Sequence, residues 1–125
     1  DRESCDFVVA DFNPANLVNA PSGATHFRLI SSISVVSDFE YNATTNSYDP
    51  MDAALNEVND IQYSDFLDLY VPVPATTVTA TLPNGALPTV NTTVLQCIGI
   101  EFYQQVGANY YLFSSGNCLK VEDAF

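Results

Sequence analysis

The sequence predicts an all-β protein: an antiparallel two-layer β-sandwich of about eight strands, Ig-like or similar, with at most one helical turn. Two observations carry this reading. Val, Ile, Thr, Tyr and Phe crowd short runs that alternate apolar and polar residues, and Pro, Gly, Asn and Ser separate the runs. The spacers are also shorter than the crossovers that parallel strands need, so neighbours pair antiparallel. A two-layer stack then buries one face of each strand.

The elements follow in order. "SCDFVVADF" (4–12) reads as a first strand, and 13–24 as a loop punctuated by Pro14, Pro21 and Gly23. "THFRLISSISVVSDFEY" (25–41) reads as one long strand. Phe27, Leu29, Ile33 and Val35 share a face at period two, Ser31 among them marks a bulge or bend, and His26, Arg28, Ser32 and Ser34 lie on the wetter face. Residues 42–50 read as a polar turn. "MDAALNEVNDI" (51–61) is the helix candidate, with Asp49 as cap and Pro50 in the first turn, weakened by Asn56 and Asn59.

In 65–74, Leu67, Leu69, Val71 and Val73 make one face, and Pro72 and Pro74 place the strand at a sheet edge. In 76–82, Val78, Ala80 and Leu82 point inward and the threonines between them outward. The chain closes with a three-strand meander: "TTVLQCIGIEFYQQV" (92–106), a turn at 107–109, "YYLF" (110–113), "SSGN" (114–117) and "CLKVEDAF" (118–125).

The 125 residues suit a single domain spanning 1–125. Fifteen acidic residues against three basic ones give a net charge of −12, which repels phosphate backbones and sets nucleic acid aside. No apolar run approaches the roughly 20 residues that span a bilayer, so membrane insertion is not expected. The chain starts at Asp1 without a leader pattern, so either a leader was removed or this is a fragment of a longer protein, the reading preferred; compartment stays open, with an extracellular or cell-surface setting preferred. Asn42 (Asn-Ala-Thr) and Asn91 (Asn-Thr-Thr) are glycosylation candidates if the host modifies secreted chains.

The chemistry-bearing residues are sparse. A nucleophilic triad needs a base, and the one histidine, His26, sits inside a strand; there is no G-x-S-x-G elbow. Cys5, Cys97 and Cys118 are too scattered for a zinc site, and no cofactor is expected. A hairpin centred between Gly107 and Ala108 would set Cys97 opposite Cys118, but "SSGN" interrupts the return strand and breaks that register. A Cys97–Cys118 disulfide across neighbouring strands remains a candidate. Acids at 49, 52, 57, 60, 65 and 68 offer hard oxygens for Ca²⁺ but fit no standard loop, and read as a solvated face. Asp68 and Glu101 read as surface acids; a buried Glu101 would need Arg28, Lys120 or Arg2. Tyr103, Tyr110 and Tyr111 cluster around one hairpin, either as a binding surface for sugars or adhesion or as ordinary cross-strand packing.

Ala20-Pro21-Ser22-Gly23-Ala24-Thr25-His26-Phe27, Asp38-Phe39-Glu40 and Gly99-Ile100-Glu101-Phe102-Tyr103-Gln104 together resemble the C-terminal half of a family of uncharacterised Bacteroidota proteins. In that family the pattern looks like APxGxTHF, then D-F-E, then GIEFYQ and a tyrosine pair. Residues 45–92 depart from it, and the relatives are longer and typically lack the cysteines. The resemblance implies a bacterial source, in which case the sequons carry no sugar, and it supplies no activity and no catalytic residues. The expected function is a non-enzymatic structural or protein-interaction module, self-assembling or part of a larger surface assembly. Its contact candidates are the edge near Pro72 and Pro74 and the terminal strand 118–125. The alternative is a carbohydrate-binding or adhesion module, with or without Ca²⁺.

Overall fold

The computed structural model describes residues 2–125 and is all-β. Ten strands run antiparallel: β1 (Ser4–Val9), β2 (His26–Ser37), β3 (Phe39–Asn42), β4 (Ser47–Pro50), β5 (Asn59–Tyr63), β6 (Leu67–Asp68), β7 (Thr76–Thr81), β8 (Thr92–Val106), β9 (Asn109–Leu112) and β10 (Cys118–Ala124). The larger sheet is built on β2 and β8, paired along their whole shared length from His26 opposite Tyr103 to Ser37 opposite Thr92. The far edge of β2 carries β6 and β5, and the far edge of β8 carries β9 and β10. A ribbon of β1 and β7 forms the second layer, and β3 with β4 makes a separate hairpin.

Alternation on β2 decides what is inside. Phe27, Ile33 and Val35 are fully shielded from solvent, and Phe102 and Val94 of β8 meet them across the ladder. Val78, Ala80 and Leu82 come down from the ribbon side. Removing a side chain such as Phe27 from water stabilises the fold by about 2–3 kcal/mol. Two clusters share this interior, one around Phe27, Leu29 and Phe102 and one around Ile33, Val35 and Val94. Ser31 lies buried between them without any break in register, so it marks no bulge; the thiol of Cys5 stands 3.8 Å from its hydroxyl.

Five expectations are corrected. The long run 25–41 divides at Asp38: its N–H still donates to the Asn91 carbonyl in the β2–β8 register, but its carbonyl accepts from the Met51 N–H, and the chain passes on into β3. The polar segment 42–50 contains β4, where Pro50 closes the strand opposite Phe39 rather than opening a helix. Residues 51–57 form only turns, and Asn59–Tyr63 is a strand on β2. The regular helical turn is at Pro14–Leu17, capped by the Asn13 side chain, and a 3-10 turn follows at Pro83–Gly85. Segment 65–74 pairs only at Leu67–Asp68 and through a lone bridge between Phe12 and Val73, and Val71 is exposed.

Candidate functional site

Two places combine exposure with organised chemistry. The first is a ladder of rings on the outer face of the larger sheet. Cross-strand pairing sets His26 beside Tyr103 and Arg28 beside Glu101. The Arg28 guanidinium lies over the rings of Tyr63 (4.1 Å), Phe66 (4.9 Å) and Tyr103 (5.1 Å), donates to the Tyr103 hydroxyl at 2.7 Å and stands 3.6 Å from Glu101. Phe66 stacks flat on Tyr110 at 3.9 Å and meets Tyr103 edge-on; His26 meets Tyr110 edge-on and shares a hydrogen bond with the Thr25 hydroxyl.

Burial pushes the Tyr103 hydroxyl above its ordinary value. The phenol therefore keeps its proton and donates it to Glu101. Glu101 is thus paired and largely covered, not a plain surface acid, and its partner is one of the three cations the sequence offered. Of the three candidate tyrosines, Tyr103 is buried, Tyr110 is half-buried and Tyr111 is exposed. Phe66 brings the first two together, while Tyr111, one residue along β9, projects to the opposite face. Tyr63 and Phe66 were not legible as partners: Tyr63 lies just past the helix candidate 51–61 in a stretch with no assignment, and Phe66 lies in 65–74, read as a separate edge strand with no stated neighbour.

The other candidate residues are dispersed. Cys97 lies opposite Val121 and Cys118 opposite Ile100, and all three cysteines are free thiols, so the candidate Cys97–Cys118 disulfide is not formed. The cause is the "SSGN" loop: β9 keeps the hairpin register, while β10 re-pairs with β8 three residues further on. Burial raises the Cys5 thiol, which keeps it protonated. His26 and Cys97 stand on one face but six residues apart along the ladder, about 20 Å, which separates base from thiol. Asn42 is half-buried, its amide donating to Asp49 at 2.9 Å, and Asn91 is half-buried in the turn before β8. The acids of the middle segment go separate ways: Asp52 to Thr89, Asp60 to the Thr81 N–H, Asp68 to the Tyr70 N–H. Among the described residues no group of three or more His, Cys, Asp or Glu converges.

The second place is where the second layer ends. The ribbon packs over β2 and β5 and leaves the middle of β8 and all of β10 without a covering strand. The result is a trough of about 220 Å³ lined by Phe7, Leu29, Ile98, Ile100, Cys118 and the stem of Lys120, with almost no polar surface. Every residue of β10 is exposed, and its outer edge has no strand partner. The edge near Pro72 and Pro74 bounds a different, open depression with Asp11 and Phe12.

No family model, curated protein or solved structure matches this chain. Among the described residues no helix is long and apolar enough to cross a membrane.

Proposed function

We propose that this chain is a non-enzymatic protein-interaction module that associates through exposed strand edges, with a protein partner or with copies of itself. The observation that carries the reading is β10: a seven-residue strand, exposed throughout and unpaired on one side, standing beside an uncovered apolar trough. An open edge is a template for a further strand, and main-chain hydrogen bonds supply the affinity. Light scattering over a concentration series, with affinity capture and intact mass measurement, tests it. The expected result is an assembly, or a retained partner, weakened by Val121→Pro. A strict monomer at high concentration that retains no protein from its source overturns it.

The outer ladder favours a second reading as a carbohydrate-binding module. The stacked Phe66–Tyr110 pair reaches solvent, and such rings offer sugars an apolar face beside polar handles. A glycan array with and without Ca²⁺ checks this, with Tyr110→Ala as the control that abolishes any signal; no glycan bound under either condition rejects it.

A further inference from the structure

The β1–β7 ribbon has two edges, and they are treated differently. On the β7 side, the Thr81 N–H is taken by the Asp60 side chain and β5 packs alongside. On the β1 side no strand follows among the described residues. The Leu82 N–H donates to the Glu3 carbonyl, which places the odd-numbered residues of β1 in the ladder with β7. The backbone groups of Ser4, Asp6 and Val8 therefore face outward, over the trough. One of them, the Asp6 carbonyl, accepts a hydrogen bond from the Gln96 side chain at 2.9 Å, which identifies the open direction of the strand. The odd residues, Cys5 and Phe7 among them, turn their side chains inward, so Phe7 forms one wall of the trough.

We propose that this edge and trough accept an extended segment of another protein, added to β1 as a third strand of the second layer. Its alternate apolar side chains would fill the space over Ile98 and Ile100, and basic residues would flank them. Charge selects the partner. The chain carries −12, and the two strands that flank the trough, β1 and β10, hold Asp6, Glu122 and Asp123 against one cation, Lys120, already paired with Glu122 at 3.1 Å. A second copy would bring the same negative charge, whereas a basic segment is drawn in. The proposal rests on the interaction-module reading and adds to the β10 edge a second one, that of β1 over the trough.

The test is titration of the full chain with a short synthetic peptide of alternating valine and threonine flanked by lysines, with glutamate-flanked and proline-interrupted versions as controls. Binding of the lysine-flanked peptide alone is expected, weakening as salt rises. Val8→Pro removes an outward N–H and leaves the β7 ladder intact, so it should weaken binding roughly tenfold. Gln96→Ala should retain or strengthen binding, because it clears the Asp6 carbonyl. Cys118→Arg, at an exposed wall position, should fill the trough and abolish binding even if Val8→Pro proves unstable.

Equal binding by wild type and both blocking variants overturns the proposal, as does equal binding of the glutamate-flanked peptide or no binding of any. Self-association abolished by Val8→Pro makes a second copy the occupant and overturns the partner assignment. Association that none of these variants alters sinks the trough alone and leaves the interaction-module reading standing.

Discussion

Arg28 shows how one cation can order a polar face. It is held by three rings, a phenol and a carboxylate, and its Nε is buried without a hydrogen-bond partner. An unmet donor costs on the order of 1 kcal/mol, so the stacking and the bond to Tyr103 must outweigh it. Lysine could supply the charge but not the planar fork that lies between Tyr63 and Phe66. Arg28→Ala should therefore lower the unfolding free energy by about 2 kcal/mol, and Arg28→Lys should recover less than half of that. Denaturant unfolding of the two variants decides it; a lysine variant as stable as wild type would show that charge alone matters. The cross-strand pairing of Arg28 with Glu101 was half-visible in the sequence, because only three basic residues could have served. Tyr63 and Phe66 were invisible as partners, since only the pairing of β5 and β6 on the far edge of β2 brings them to Arg28.

At the scale of elements, β2 and β8 share one design. Each carries two short strands on its far edge, and in each case a polar side chain fills the rung between them. Ser64 Oγ accepts the Leu29 N–H between β5 and β6, and Asn117 Oδ1 accepts the Phe102 N–H at 2.8 Å between β9 and β10. Asn117 also donates to the Phe113 carbonyl, closing the "SSGN" loop. Asn117→Ala orphans a backbone donor beside the buried Phe102, and should cost about 1–2 kcal/mol and speed hydrogen exchange of the Phe102 amide. An unchanged exchange rate would mean that another group takes its place.

The alternation of β2, β7 and β8 made the core legible, with Phe27, Ile33, Val35, Val78 and Ala80 all buried as the period-two pattern requires. The splitting of long runs was not legible. Past Asp38 the β2–β8 ladder stops because the Asp38 carbonyl is taken by the Met51 N–H, and Asn59–Tyr63 becomes a strand because the edge of β2 is open to it. Both outcomes depend on tertiary partners that local propensity does not encode. Of the candidate site, the exposed terminal strand was readable from its place after the "SSGN" loop, whereas the trough exists only because the second layer stops short.

For the molecule as a whole, the imbalance of charge is spread over a surface with two ion pairs among its described residues, Arg28–Glu101 and Lys120–Glu122. The third cation, Arg2, is spent on the carbonyls of Thr89, Thr92 and Phe125, tying the first strand to the turn before β8 and to the end of the chain. Self-repulsion among the carboxylates opposes the compact state, and salt screens it. Melting temperature should therefore rise by several degrees between about 0.01 and 0.5 M NaCl. A fall or a flat response would mean that the acids are already locally compensated. The long ladder between β2 and β8 also sets an order of events in time. β2 leaves the ribosome well before its partner, since His26 must wait for Tyr103 and Ser37 for Thr92, and β1 waits likewise for β7. Until β8 emerges, Phe27, Ile33 and Val35 have no opposite strand, so the nascent chain carries an uncovered apolar row while everything from β3 to β7 is made. Folding governed by such distant pairings is slow, and the acidic surface then has a second use: mutual repulsion keeps unfinished copies apart during that interval.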